Sequence, residues 1–220
     1  MPEISETAST SKQVSDMPSP RRLLSSKKVY EGRIWDVVSD SFKLGEDTDT
    51  LVRDYIDHPG AVAVLPMNVD GEVLLIKQYR HPVGMDLWEI PAGLLDVEGE
   101  DFVAGAAREL AEEADLTAAT WNVLVDFFNS PGSSSEAVRI YLARGLGQVP
   151  EAERHVRTDE EAEIELHWVP LEDAVKAVVE GRLHNPSAVL GILAAAAARA
   201  DGFTSLRPAN APWPAHPSQR

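Results

Sequence analysis

Through the first half of the chain, apolar residues fall mainly at every second position or in short unbroken runs; later segments repeat at three to four residues. Tyr30, Ile34, Trp35, Val37, Val38 and Phe42, between Lys28 and Leu44, predict one or two strands with a bend near Gly32. Gly45-Glu46-Asp47 reads as a turn, and Leu51–Ile56 alternates as a strand that His58-Pro59-Gly60 breaks. Ala61–Met67 has the continuous apolar character of a short buried strand. Asn68-Val69-Asp70-Gly71 predicts a hairpin turn into a strand over Glu72–Tyr79, because Asp-Gly tolerates positive φ between two apolar runs. Leu87–Ile90 is a brief strand ending at Pro91-Ala92-Gly93.

After a loop at Leu94–Gly99 the period changes. Phe102, Ala106 and Leu110 repeat at four-residue steps and predict a helix from about Asp101 to Ala114. Trp121–Phe127 and Ala137–Ala143 read as strands around the loop Asn129–Ser135, and Glu163–Val169 as another, stopped by Pro170. Leu171–Glu180 and Pro186–Ala200 read as helices. Strand and helix do not alternate regularly, so the fold class is α+β with mixed sheets rather than a doubly wound parallel sheet.

The ends differ in composition. Residues 1–20, rich in Ser, Thr, Glu and Pro, are expected to be disordered, and the Pro-rich segment from Arg207 to be loosely ordered or draped on the surface. The expected organisation is a tail at 1–20, an N-terminal strand region at 21–58, a main domain at 59–200 and a C-terminal tail at 201–220.

With 44% hydrophobic residues among 220, the core is ample. The formal charge of −16 argues against a nucleic-acid groove. The absence of cysteine excludes disulfides and thiolate metal sites and fits the cytoplasm. No secretory signal is visible, and the longest apolar run, Ala188 to Ala198, is too short to span a bilayer, so no membrane partner is expected.

The densest chemistry lies in Arg108-Glu109-Leu110-Ala111-Glu112-Glu113. Glu109, Glu112 and Glu113 are three or four apart and crowd one side of a helix, where like charges repel by roughly a few tenths of a kcal/mol per exposed pair. Such a cluster beside an apolar stripe suits a hard divalent cation, and oxygen-only ligands favour Mg²⁺ or Mn²⁺ over zinc. Taken alone, it reads equally as a solvated acidic face. The six histidines share no metal-ligand spacing and read as structural or surface groups.

The stretch from Gly93 settles that choice by its register. Glu100 stands eight before Arg108, and Arg108, Glu109, Leu110, Glu112, Glu113 and Leu116 follow in order, so the segment resembles the Nudix box, Gly-x5-Glu-x7-Arg-Glu-U-x-Glu-Glu-x-Gly-U with U apolar. Two departures occur: Gly93 lies one residue too far upstream, and Asp115 stands where the box has Gly. Asp tolerates a left-handed helix end better than most residues, so the second change is mild. Leu87-Trp88-Glu89-Ile90-Pro91-Ala92-Gly93 and Gln78-Tyr79-Arg80-His81-Pro82 resemble the ADP-ribose pyrophosphatase branch of the family. The placement of Pro131, 15 residues after Leu116, resembles it too.

The resemblance, over residues 28–200, implies an αβα sandwich around mixed sheets, with an N-terminal antiparallel strand region and often a homodimer in which those strands complete the partner's site. It implies that Glu109, Glu113 and Glu112 hold Mg²⁺ (Mn²⁺ as a substitute) with the Ala92 carbonyl, that Arg108 orients a box glutamate, and that Glu100, Gly93 and Pro131 support the motif. Glu136 is the expected general base, Glu112 and Arg108 act beside it, Arg53 and Arg80 grip phosphate, Trp35 stacks on adenine and Glu89 bonds the sugar or base. Each has a plainer alternative: Glu136 and Glu89 as strand-edge carboxylates, the arginines as solvated cations, Trp35 as core. The implied activity is Mg²⁺-dependent hydrolysis of ADP-ribose to AMP and ribose 5-phosphate. The alternatives are another nucleoside diphosphate sugar or dinucleotide as substrate, or a non-catalytic ADP-ribose-binding Nudix regulator.

Overall fold

A computed structural model describes residues 14–158 and 162–219. The tail expected to be disordered lies, up to residue 13, outside the described residues.

Three sheets organise the described residues. Strands β1 (Arg22–Tyr30), β2 (Asp36–Lys43) and β3 (Thr50–Asp57) form an antiparallel N-terminal sheet in that order. Next in the chain come β4 (Ala61–Pro66), β5 (Glu72–Arg80), β6 (Met85–Glu89) and β7 (Ala92–Leu94), followed by helix α1 (Phe102–Ala114). Strands β8 (Leu116–Phe128), β9 (Ala137–Gln148) and β10 (Glu165–Pro170) lead into α2 (Leu171–Val179), α3 (Pro186–Arg199) and the two-residue β11 (Arg207–Pro208). The second sheet has the order β10-β5-β6 and the third β11-β8-β9-β4-β7, in which β4 and β9 run parallel.

The period-two alternation of β4 and β9 explains the layers. Val62, Val64, Tyr141 and Ala143 point to one face and pack with Ala106, Leu110 and Ala114 of α1. Ala63, Leu65, Ile140 and Leu142 point to the other and pack with Leu171 and Ala174 of α2 and Ala188 and Ile192 of α3. Both faces are covered, so these strands read as unbroken apolar runs. The mixed α+β sandwich expected from the sequence is the observed architecture. Among the described residues no helix is long and apolar enough to cross a membrane.

Three features depart from the sequence reading. The turn at Asn68–Gly71 forms, with Gly71 at φ 79°, yet its flanking strands enter different sheets and are joined by the Met67–Val73 bridge rather than by a ladder. A strand has two edges, and those of β4 are taken by β9 and β7. Second, Ala92-Gly93-Leu94 does not merely end a strand but forms β7 on β4. Third, the C-terminal segment is not loose: Trp213 and His216 are buried, and Arg139, fully buried, donates to the Ala211 and Pro212 carbonyls at 2.7 and 3.3 Å. Proline lacks an N–H but keeps its carbonyl, so a Pro-rich strand can still satisfy a buried guanidinium.

Candidate active site

Helix α1 carries the acidic cluster because its apolar stripe, Ala106 and Leu110, is buried against β4 and β8, which turns Glu109 and Glu113 toward β7. Both are nearly buried, at 8% and 5% exposure. The Ala92 N–H donates to Glu113 Oε2 at 2.8 Å. The Glu109 carboxylate lies against Gly93, where any Cβ would overlap it. The extra loop residue after Gly93 therefore leaves this glycine at the carboxylates, where any side chain would push the Glu109 carboxylate from its place.

Arg108 sits at the centre of the other carboxylates. It donates to Glu100 through Nε and Nη2, both at 3.2 Å, and through Nη1 to Glu109 and to Glu112, the latter at 3.2 Å. Its hydrogen bonds to Glu100 are the largest cause holding this guanidinium above its ordinary pKa, with Glu109 adding to them. One cation thus bonds three carboxylates, Glu100, Glu109 and Glu112, so formal charge leaves the cluster net negative. The donor set is all oxygen, which fits Mg²⁺ or Mn²⁺. Among the described residues no three His, Asp or Glu groups are gathered to coordinate an ion, since Arg108 draws Glu109 and Glu112 while Glu113 turns to the Ala92 peptide.

Beside this cluster opens a cavity of about 480 Å³ whose lining includes Trp35, His58, Arg80, Glu89, Ala92 and Glu136, a size suited to a small-molecule ligand. Glu89, 2% exposed, is forked by Arg80 through Nε and Nη2 at 2.8 and 2.7 Å. Trp35 reaches the cavity from the β1–β2 connection and is 39% exposed. Pro131 lies in an exposed turn whose neighbours Ser133 and Ser135 bond the Ile56 backbone, latching the loop to β3. That latch delivers Glu136, which accepts from Asn129 Nδ2 at 2.8 Å and faces His58 Nε2 at 4.0 Å. His58 Nδ1 accepts from the Gly60 N–H at 3.0 Å, so the ring's remaining proton is on Nε2.

Of the residues singled out in the sequence, Trp35, Arg80, Glu89, Ala92, Gly93 and Glu136 share this cavity, and Glu100, Arg108, Glu109, Glu112 and Glu113 stand behind β7. Arg53 does not join them. It lies exposed on β3, its Nη1 bonded to the Val52 carbonyl. Sequence reasoning set His58 aside and treated Asn129 only as loop. No local signal marks either, because His58 meets the 129–136 loop across 77 residues of chain.

Comparisons with known proteins agree with this geometry. A family model described as the NUDIX domain matches residues 57–188. The ADP-ribose pyrophosphatase of Mycobacterium tuberculosis is 41% identical over 190 residues, covering 86% of this chain and 89% of that protein. The methanol dehydrogenase activator of Bacillus methanolicus is 30% identical over 171 residues, covering 78% of this chain and 90% of its own. A crystal structure of an ADP compounds hydrolase superimposes with a TM-score of 0.65 at 20% identity, over 86% of this chain and 99% of that one, a likeness of fold. The matched box, the carboxylates gathered behind Ala92-Gly93 and a relative aligned over most of both chains converge on one assignment: the chain belongs to the Nudix family.

Proposed function

We propose that this protein is a hydrolase that splits the diphosphate of ADP-ribose into AMP and ribose 5-phosphate, using Mg²⁺ or Mn²⁺. The observation that carries the substrate is the 41% identity to an ADP-ribose pyrophosphatase over 86% of the chain. The chemistry is supported by Glu109 and Glu113, held directly behind Ala92 and Gly93, two residues that line a cavity of about 480 Å³.

Glu109, Glu113 and Glu112 would hold the cation with the Ala92 carbonyl, and the bound ion supplies charge neutralisation for the diphosphate and a more acidic water. Arg108 positions the box carboxylates through its bonds to Glu100, Glu109 and Glu112. Arg80, pre-oriented by Glu89, offers forked donors to a phosphate oxygen. Trp35 offers its indole face to adenine. Water adds to one phosphorus, the bridging P–O bond breaks, and the leaving phosphate keeps the bridging oxygen.

Glu136 is the proposed acceptor of the water's proton. Strand register places it two strands across and about four residues along from Ala92, on the order of 15 Å between backbones. That span favours a second role, accepting a hydrogen bond from a substrate hydroxyl at the far end of the cavity. Glu136→Gln separates them: loss of kcat with unchanged KM supports the base, and a raised KM with modest change in kcat supports the hydroxyl contact.

A homodimer is also proposed, with residues 21–58 as the exchanged arm, 59–200 as the hydrolase domain and 201–220 as a tail closing on it. Every residue of β1 is exposed, leaving Leu23, Leu24, Val29 and Tyr30 uncovered, and Arg53 is exposed outside the lining of its own cavity. A second copy would cover that sheet and receive Arg53. A reducing, cytoplasmic setting accords with the lack of cysteine.

The test is Glu113→Gln with ADP-ribose and Mg²⁺. AMP release should fall by ~100-fold or more while circular dichroism stays unchanged. Unchanged turnover would overturn the proposal, and ADP-ribose binding by the wild-type protein without any product would favour the regulator.

A further inference from the structure

Asp115 occupies the position that is glycine in the Nudix box, and it has the backbone that glycine would adopt, φ 56° and ψ 31°. Its N–H closes the helix on the Ala111 carbonyl at 3.2 Å, and its own carbonyl accepts from the Val149 N–H at 2.9 Å. Glycine would make both bonds. The carboxylate is what this chain adds. A negative group at a helix C-terminus meets the negative end of the macrodipole, so it needs a cation to be tolerated there.

Arg157 supplies that cation. Its Nη2 donates to Asp115 Oδ2 at 2.7 Å and its Nε to the Glu112 carbonyl at 2.9 Å, one guanidinium spanning the carboxylate and the last helical turn. Arg154 stands 4.0 Å from Asp115 Oδ1 and donates to the Val149 carbonyl at 3.3 Å. Asp115 and Arg157 are only about one-fifth exposed. The segment from Pro150 to Thr158 is thereby laid across the end of α1. Between them lies an open surface pocket of about 430 Å³, whose lining includes Arg108, Glu112, Glu153, Arg154 and His155.

From this we infer that Asp115 is a positioning residue for the reaction: its carboxylate clasps Arg157 and so fixes the 150–158 segment against the Glu112 face of the metal-binding helix. The inference rests on the hydrolase reading proposed above, because the clasp matters to catalysis only if Glu112 stands at the metal site. The clasp sets where Arg154 and His155 stand relative to Glu112 and Arg108 while substrate is bound. Glycine at this position would leave Arg157 only its bond to the Glu112 carbonyl, without the carboxylate that fixes the other arm of the guanidinium.

Asp115→Gly is a clean test, since the left-handed backbone suits glycine and the variant should fold. Steady-state hydrolysis of ADP-ribose with Mg²⁺ should show kcat reduced ~10-fold with KM within about twofold. Limited trypsin digestion should cut faster after Arg154 and Arg157 than in the wild type. Asp115→Asn, which keeps an acceptor, should lie between the two. In Asp115→Gly/Arg157→Gln the combined loss should be smaller than the sum of the two single losses, since both remove the same ion pair. Wild-type kcat and cleavage rates in Asp115→Gly, or additive losses in the double variant, would overturn the inference. Glu113→Gln run in parallel separates the two failures: if it still turns over, the hydrolase reading itself falls, whereas its inactivity beside a fully active Asp115→Gly sinks only the clasp.

Discussion

Glu113 and Ala92, 21 residues apart in the chain, are joined by a 2.8 Å hydrogen bond from the strand's N–H to the helix's carboxylate. The bond ties the last turn of α1 to strand β7, so the residue whose carbonyl is expected at a cation is anchored through its N–H by a carboxylate expected to bind the same ion. Gly93, next in β7, lets Glu109 approach equally closely. The adjoining sites argue for the following outcomes.

Gly93→Ala should fold but displace Glu109, because the added methyl overlaps its carboxylate. Mg²⁺ affinity measured by calorimetry should weaken by ~10-fold or more, with turnover falling alongside. Wild-type affinity would show that Glu109 is not held where the ion binds.

Arg80→Ala should leave Glu89, 2% exposed, without its forked donor. Urea denaturation should report a loss of ~1–3 kcal/mol from the under-satisfied buried carboxylate. KM for ADP-ribose should rise as well. Arg80→Lys should restore little of either, since an ammonium cannot make both bonds of the fork. Full rescue by lysine would reduce the pair to simple charge.

Trp213→Ala should destabilise the whole domain rather than free a surface tail. The indole is 4% exposed, lies 4.7 Å from the Arg139 guanidinium and stacks edge-on to Phe102 at the start of α1. Truncation of such a residue costs ~3–5 kcal/mol. A change in melting temperature within error would show that the segment after Arg207 is dispensable.

Tyr141 should make stability fall at alkaline pH. Burial pushes its phenol above the ordinary value of 10.0, although the Arg139 hydrogen bond pulls the other way. With the folded pKa above the unfolded one, this contribution is complete below about pH 10 and is lost as pH rises toward the folded value. Tyr141→Phe cannot ionise, so its stability plotted against pH should fall less steeply above pH 10. Identical slopes would remove Tyr141 from the alkaline transition.

Local spacing alone determined much of this protein. The four-residue step of Phe102, Ala106 and Leu110 set the phase of α1, which places Glu109 and Glu113 one turn apart on a shared side, a consequence of helix geometry that needs no partner. Runs such as Ala61–Met67 and Ala137–Ala143 announced strands covered on both faces, and the register from Glu100 to Leu116 carried the family. What lay beyond reach was set by contacts between distant segments. The occupied edges of β4 sent the two strands flanking Asn68–Gly71 into separate sheets. The latch between β3 and Ser133–Ser135 brought His58 and Asn129 to Glu136, and a buried guanidinium at Arg139 drew in a proline-rich tail that composition marks as loose. Periodicity encodes which side of an element faces inward, but which elements meet is settled by competition for edges and for buried polar partners across the whole fold.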